Sequence, residues 1–271
     1  MQEIIKKFWR WWKENATSQI ISIRKEKSYC IVNYLHGANI TARRLFDEDS
    51  KIWTKYYQTL TQSDILFPDW ISVQIFNFIH NLKFGKNIEW LESINWTDFI
   101  NILLEEISKD YNPKLILYWT HSDIIKNSAK KFEDIWYTVI YYQDWYSDFD
   151  WESMENNITK YKSSKETIEN EKKDIYIFIQ WRTTIDNPIQ EFWTIENIEK
   201  IKKHNFIVMN QSWTFDHSDF GGKETRSPEI FIKFKLERLR RTMINPKKWL
   251  PKIRANIKLI PLTIQKIILS K

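Results

Sequence analysis

The chain has 271 residues, a mass of 33.2 kDa and a formal net charge of +6. That length buries a substantial core, as one large domain or as one domain with an appendage. The single cysteine, Cys30, excludes an intramolecular disulfide and suits a reducing cytoplasm, and the lack of any run of 18 apolar residues argues against a membrane-spanning helix.

The N-terminal segment and the elements after it are predicted in chain order. Residues 1–27 begin with closely spaced aromatic and basic side chains, typical of an amphipathic helix, either ordinary or at a membrane interface. They lack the apolar region and cleavage site of a signal peptide. Six β-rich runs then alternate with helical patterns. The predicted strands are 29–35, 64–67, 114–118, 138–142, 174–179 and 205–209, and the predicted helices are 41–60, 72–82, 98–108, 122–134, 151–172 and 189–203.

Most of the strand runs are continuous in hydrophobicity, as expected for strands buried on both faces. Their alternation with helices predicts an α/β fold, a mostly parallel sheet flanked by helices. We divide the chain into an N-terminal helical extension (1–27), an α/β core (28–222) and a basic helical appendage (223–271). Sheets of this kind bind ligands at the carboxyl ends of their strands, often with phosphates at helix N-termini.

The appendage carries 14 Lys and Arg against 3 Glu, a net charge of +11, so the preceding residues carry −5. A basic tail on an acidic body indicates an anionic partner, either a membrane or a nucleic acid. Apolar residues at helical spacing between the charges favour a helix lying in an anionic membrane interface. Docking of part of the tail on the protein's own core is the alternative.

Fifteen tryptophans against four glycines is an inverted ratio, since glycine averages about 7% of residues. Many of the tryptophans stand in turns or at strand ends, where a positive φ or the absence of a side chain is favoured. We hypothesise that the source reads UGA as glycine and that these codons are shown here as tryptophan. The alternative is a Trp-rich protein with buried aromatic residues, and UGG codons at these positions would establish it. The positions are Trp70, Trp96, Trp119, Trp145, Trp181 and Trp213.

Several polar residues follow predicted strands. Asp69, after the run ending at Pro68, is placed to act as a general base on a bound hydroxyl, although a turn Asp also serves as an Asx cap. Asp98 begins a helix and could simply favour the helix dipole. Gln190 could hydrogen-bond a sugar or a base, while Glu191 could be a plain first-turn acid. Asp216 is ambiguous by itself.

The sequence offers little for a metal or for nucleophilic catalysis. Asp148 and Asp150 form the short Asp-x-Asp pattern of metal-dependent sugar-nucleotide enzymes, but the surrounding acidic residues indicate an exposed loop. His217, between Asp216 and Asp219, has no ligand spacing around it. Cys30 lies within an apolar run and is predicted to belong to the core. We therefore expect no metal and no bound cofactor.

With glycine at the suspect positions, the chain resembles the WecG/TagA/CpsF glycosyltransferases from about residue 29 to its C-terminus. Several segments match the family's motifs in order, and 115–119, a strand ending at a suspect position, falls between the second and third of them. The matching segments are 64–70 (D-L-x-x-P-D-G), 96–98 (G-x-D), 144–146 (H-G-Y), 188–193 (P-K-Q-E-x-W), 212–216 (G-G-x-F-D), 222–228 (G-K-x-x-R-A-P) and 236–241 with 245–246 (L-E-W-L-x-R, then E-P).

The resemblance implies a Rossmann-like core whose C-terminal appendage meets the membrane and helps to complete the active site. It implies an inverting, metal-independent transfer of an N-acetylmannosamine-type sugar from UDP to an undecaprenyl-diphosphate-linked N-acetylglucosamine, in surface polysaccharide or teichoic-acid-type biosynthesis. The expected location is peripheral, on the cytoplasmic face of the cell membrane. A nucleic acid is not an expected partner, and a homo-oligomer is compatible with the sequence.

By motif position, Asp69 is implied to deprotonate the acceptor hydroxyl, and Asn39 and Gln190 to contact substrate. Arg241 is implied to face the diphosphate, for which a bidentate guanidinium is suited. The remaining substrate-binding candidates are Asp98, Thr120, Tyr146, Glu191, Asp216 and Arg226.

The chain departs from the family at several points near the implied pockets. Gly37 stands where the family has a threonine, and Ser93 stands where it has an arginine. Extra residues lengthen the segments between Asn39 and Asp69, before Pro188, and at 217–221. These departures leave open which sugar is transferred. They also motivate a rival, a membrane-associated non-catalytic binding protein with a degenerate site, while the basic tail and the aromatics motivate a nucleic-acid-binding rival.

Overall fold

A computed structural model of the chain describes residues 13–43, 45, 51–69, 71–83, 96–119, 121–164, 172–181, 188–211, 228, 237–244 and 246–265. Six strands form one parallel sheet in the order β2-β1-β6-β5-β3-β4, which confirms the predicted α/β, Rossmann-like fold. Each predicted run overlaps one strand. The strands are β1 (Cys30–His36), β2 (Ile65–Asp69), β3 (Tyr111–Trp119), β4 (Thr138–Gln143), β5 (Lys173–Trp181) and β6 (Ile207–Asn210).

The helices cover the connections between the strands and the C-terminal region. Two of the predicted helices are interrupted, since the 189–203 pattern breaks at Asn197 and the 41–60 pattern becomes two helices. The described helices are α1 (Lys13–Lys27), α2 (Gly37–Ala42), α3 (Lys51–Gln62), α4 (Ile71–Lys83), α5 (Trp96–Asp110), α6 (Ser122–Asp134), α7 (Trp151–Ser164), α8 (Ile189–Glu196), α9 (Ile198–Lys203), α10 (Glu237–Ile244) and α11 (Pro246–Thr263).

The apolar side chains of the sheet pack against helices on both faces, which explains why the strand sequences do not alternate in polarity. Alternate residues of β3, such as Leu115 and Ile116, belong to different apolar clusters. The first face is covered by α1, α5 and α6. The second face is covered by α2, α3, α4 and α11 over β1 and β2, and by α7, α8 and α9 over β3, β5 and β6.

Two helices end in the same hydrogen-bonded motif with different residues at its left-handed position. After α6, Trp136 donates to the Glu133 carbonyl at 3.0 Å and Tyr137 donates to the Phe132 carbonyl at 2.9 Å. This is the Schellman arrangement, whose left-handed residue is usually glycine. Trp136 has φ 76°, and its side chain is 95% exposed. After α9, Asn205 has φ 57° at the equivalent position.

Both ends of the described chain pack on the core. Ala16 and Ile20 of α1 are fully buried in the first-face cluster. The C-terminal helix α11 contacts α2 and α4, and its Leu259 is buried with their apolar side chains. Part of the appendage therefore docks on the core, which was the alternative to membrane contact. Among the described residues, no helix is both long and apolar enough to cross a membrane.

Candidate functional site

The carboxyl ends of the six strands lie along one edge of the sheet because all the strands are parallel. At this edge β3 leads to α6 on the first face, whereas its neighbour β5 leads to α8 on the second face. Adjacent strands that leave to opposite faces open a crevice between their carboxyl ends, where ligands of such sheets bind. Trp119 and Trp181, the last residues of β3 and β5, are paired in register at this point.

Two of the suspect tryptophans fill space on opposite faces at the carboxyl end of β3. Trp119 is fully buried in the first-face cluster. Trp145, in the turn after β4, is 6% exposed and stacks on Tyr118, with ring centroids 4.1 Å apart. An indole in either place occupies volume at the sheet edge that glycine would leave empty.

One of the predicted substrate-binding residues belongs to a buried ion pair, and two others lie beside it. Arg43, which follows α2, donates to Glu191 of α8 at 3.2 Å, and both side chains are almost completely buried. The Arg43 guanidinium also lies 4.4 Å from the centre of the Tyr56 ring. The Asn39 side chain lies next to the Tyr56 hydroxyl, and the Gln190 side chain lies next to the Glu191 carboxylate. The structure thus brings Asn39, Gln190 and Glu191 together.

Burial dominates the electrostatics of this cluster. Loss of hydration raises the pKa of the Glu191 carboxyl, although the Arg43 charge opposes the shift. Burial also raises the pKa of Tyr56, so its hydroxyl stays protonated. Glu191 Oε1 accepts from Arg43, whereas Oε2 has no hydrogen-bond partner among the described residues. The ion pair with Arg43 therefore gives Glu191 a structural role in the fold. Its predicted role in substrate binding stays a prediction.

The predicted general base closes β2 at the same edge. Asp69 pairs in register with His36, the last residue of β1, and the two strands run parallel. His36 is the N-cap of α2, where its Nδ1 accepts from the Ala38 amide at 3.0 Å. Asn39 lies in the same short helix, so Asp69 at the end of β2 and Asn39 just after β1 both lie at the carboxyl edge. The side chain of Asp69 lies outside the described part of the molecule.

A buried polar network underlies this edge on the second face. Gln180 of β5 donates to Thr194 of α8 and to Asn210 of β6. Asn210 in turn donates to Asn33 of β1 at 2.6 Å, and Thr194 donates to the Gln190 carbonyl at 2.8 Å. The network ties three central strands to the first turn of α8. It therefore fixes Gln190 and Glu191 relative to the sheet.

The predicted residue Tyr146 lies at another part of the edge. Its hydroxyl and His121 Nε2 are 3.0 Å apart, and its ring is 64% exposed. His121 precedes α6 and is adjacent in sequence to the predicted residue Thr120, which lies outside the described residues. The Tyr146 backbone is held by the Asp144 carboxylate, which accepts its amide at 2.9 Å.

The other predicted residues are described incompletely or not at all. Asp98 lies in the first turn of α5 and Arg241 lies in α10, with their side chains outside the described part. Asp216 and Arg226 fall outside the described residues altogether. Their predicted roles stay predictions.

The Asp-x-Asp pattern, Asp148 to Asp150, has a structural role just before α7. Asp150 Oδ1 accepts from the Ser153 amide at 2.9 Å at the start of α7. Hydrogen bonds from the Ser153 side chain and backbone lower the pKa of the Asp150 carboxyl. Phe149, between the two acids, is buried among aromatic rings. Within the described ranges, no three His, Cys, Asp or Glu side chains are arranged to hold a metal. Cys30 is fully buried, as predicted, and burial raises the pKa of its thiol.

Sequence reasoning missed three residues that the structure singles out. Arg43 was missed because its partner Glu191 is 148 residues away. Gln211, directly after β6, was missed because only the fold reveals that it is fully buried. Trp136 was missed because its neighbours Ile135 and Tyr137 carry no turn signal, although a glycine just past a helical pattern would have been expected there.

One surface groove of about 440 Å³ lies away from this edge. It is lined by residues at the amino ends of β3 and β5 and by the turn after α6, among them Tyr111, Asn112, Trp136 and Lys172. Ligand sites of parallel sheets lie at the carboxyl ends of strands, so we do not assign this groove to the predicted chemistry.

No protein-family model matches the chain, and no curated protein matches it.

Proposed function

We propose that the protein is an inverting glycosyltransferase that moves an N-acetylmannosamine-type sugar from UDP to a polyprenyl-diphosphate-linked N-acetylglucosamine. The observation that carries the proposal is the convergence of separately predicted residues at one edge. Asn39, Gln190 and Glu191 meet around Arg43, and Asp69 ends the strand beside β1. The WecG/TagA/CpsF resemblance assigns these positions to substrate binding and proton abstraction.

The chemistry of the edge suits transfer to a hydroxyl group. An aspartate at the end of a strand serves as a general base when it lies within hydrogen-bond reach of the acceptor hydroxyl. Buried amides and carboxylates, such as those of Gln190 and Glu191, bind sugar hydroxyl groups with defined geometry. A metal is not part of the proposal, because a cationic Arg241 would stabilise the diphosphate leaving group instead.

The C-terminal helix supports a lipid-linked acceptor. Helix α11 turns polar Asn256 and Thr263 toward the core, with only Leu259 as a fully buried apolar side chain among its described residues. Its outward side chains are largely apolar, the reverse of an ordinary surface helix. Exposed lysines and arginines accompany them, as at an anionic membrane surface. The outward apolar residues are Leu250 (41% exposed), Ile257 (64%), Ile260 (41%) and, just past the helix end, Ile264 (39%).

Replacement of the proposed base tests the function. Asp69→Ala is expected to abolish UDP release from UDP-N-acetylmannosamine with a lipid-linked acceptor, because general bases contribute about 10²–10⁴-fold. Asp64→Asn, immediately before the amino end of the same strand, is the matched control. Asp64 binds Lys27 and the Ile31 amide, so its loss affects stability rather than chemistry. Normal turnover by a folded Asp69→Ala protein would refute the base assignment.

The tryptophan form and the glycine form of the protein are expected to differ in activity. If indoles occupy the six suspect positions, we expect a crowded site and poor activity in an intact fold. Protein carrying glycine at all six positions is expected to transfer sugar faster than the tryptophan form.

A non-catalytic binding protein with a degenerate site is the second candidate function, favoured by Gly37 in place of a threonine. UDP release stimulated by the lipid-linked acceptor excludes that candidate.

A further inference from the structure

Gln211 places an unused carboxamide at the carboxyl end of β6, the strand between β1 and β5. Its side chain is 0% exposed, and neither its Nε2 nor its Oε1 has a hydrogen-bond partner among the described residues. Its backbone amide donates to the Gln180 carbonyl at 2.9 Å, so the residue continues the sheet ladder and its Cα is fixed. The carboxamide is therefore held at the ligand-binding edge of the sheet.

An unsatisfied buried amide is costly for the fold. Each buried donor or acceptor without a partner lowers the stability of the fold, whereas an apolar side chain of the same shape has no such cost. Gln180 Oε1 and Glu191 Oε2, which belong to the second face at the same edge, also keep unused acceptors. A buried carboxamide without a partner, at the edge where ligands bind, points to a ligand that completes it.

We propose that the Gln211 carboxamide binds an amide-type group, an N–H next to a C=O, of the donor nucleotide sugar. The proposal rests on the proposed function, which supplies a UDP-sugar. A carboxamide offers one donor and one acceptor side by side, and it pairs with a group that presents the complementary two. The imide edge of uracil presents these two groups side by side. The acetamido group of an N-acetylated sugar is a trans amide and offers the carboxamide either its N–H or its C=O.

The test measures binding rather than turnover. UDP, UDP-glucose and UDP-N-acetylglucosamine are titrated calorimetrically into the full chain, in its tryptophan form and in its six-glycine form. Gln211→Leu is expected to weaken binding by about tenfold or more, the discrimination typical of a bidentate amide contact. An equal loss for all three ligands identifies uracil as the partner. A loss confined to UDP-N-acetylglucosamine identifies the acetamido group.

A matched control separates this role from a general effect of removing a buried amide. Asn81 of α4 is also 0% exposed, with both amide atoms unpartnered among the described residues. It lies about 15 Å along the helix from Ile71 at the sheet edge. Asn81→Leu is expected to bind all three ligands as the unsubstituted protein does. If Gln211 has a binding role, the melting temperature of ligand-free Gln211→Leu is expected to equal or exceed that of the unsubstituted protein, because the substitution removes an unsatisfied buried carboxamide.

The outcomes distinguish this inference from the function on which it rests. Unchanged affinity of Gln211→Leu for all three ligands overturns the inference and leaves the transferase proposal standing. A lower melting temperature of ligand-free Gln211→Leu, with no selective loss of binding, assigns Gln211 a structural role and also overturns it. Failure of the unsubstituted protein in both forms to bind any UDP compound overturns the proposed function and the inference together.

Discussion

Replacing Trp136 by glycine is expected to stabilise the protein. Trp136 occupies the left-handed position of the Schellman motif after α6, with φ 76°. A left-handed conformation costs a residue with a Cβ about 1–2 kcal/mol, and a bulky aromatic side chain there is a genuine outlier. The indole is 95% exposed, so its removal sacrifices almost no packing.

The expected gain is the difference between two opposing contributions. Relief of the left-handed strain contributes about 1–2 kcal/mol, while the greater freedom of glycine in the unfolded chain takes back about 0.4–1 kcal/mol. The net stabilisation is then about 1 kcal/mol, or roughly +2 °C in melting temperature for a chain of this size. Equilibrium denaturation followed by far-ultraviolet circular dichroism measures it without relying on the fluorescence of the removed indole.

Two control variants isolate the backbone contribution. Trp136→Ala removes the indole but keeps a Cβ, so we expect no comparable gain. Asn205→Gly changes the equivalent position after α9, where Asn205 has φ 57°. Asparagine tolerates this conformation well, so its replacement is expected to yield only a fraction of the Trp136→Gly effect. Equal stability of Trp136→Gly and Trp136→Ala would refute the reasoning.

Three further predictions concern the buried ion pair, a histidine and the C-terminal helix. Arg43→Leu leaves Glu191 buried without its cation and is expected to lower the unfolding free energy by about 3–5 kcal/mol; the additional change Glu191→Leu should restore much of this in chemical denaturation. Burial lowers the pKa of His204 below its usual 6.5 despite the nearby Glu155, so the fold favours the neutral ring. The free energy of unfolding is therefore expected to fall as the pH is lowered from about 7 to 5, and to fall less in His204→Phe. Ile257→Gln should reduce sedimentation with anionic vesicles, and high salt should reduce it further in both proteins; undiminished sedimentation of the variant would contradict a membrane-facing α11.

Most of the strands were predictable because burial on both faces makes them continuous apolar runs. Tyr111–Trp119 shows this well, since its central and carboxyl-terminal residues are all buried. The helix breaks were less visible. Asn197 separates α8 from α9 without a proline or glycine, so helical periodicity continues through the break. Local pattern therefore located the elements and misjudged the continuity of some of them.

Local pattern alone predicted the candidate site only where a residue stands at the end of a strand, whereas Asn39, Gln190 and Glu191 were predicted from the family resemblance. Asp69 was predicted from its position after an apolar run, and β2 does end on it. The contacts that organise the site join distant parts of the chain, and no local pattern reports them. The ion pair between Arg43 and Glu191 and the hydrogen bond between Asn33 and Asn210 depend on which strands become neighbours. The sheet order, with β6 inserted between β1 and β5, decides both.

Glycine is expected to have opposite stability effects at Trp136, which was not among the suspect positions, and at the buried suspect positions. At Trp136 the indole is exposed and the backbone favours glycine, so substitution stabilises the fold. At Trp119 and Trp145 the indoles are buried, at 0% and 6% exposure, and the removal of each from the ligand-free protein costs about 3–5 kcal/mol. The volume so opened lies on both faces of the β3 carboxyl end, where the connections after β3 and β5 leave to opposite faces. A UDP-sugar that filled this space would recover part of the loss, so ligand-dependent stabilisation, rather than the stability of the free protein, distinguishes a recoded active site from an ordinary aromatic core.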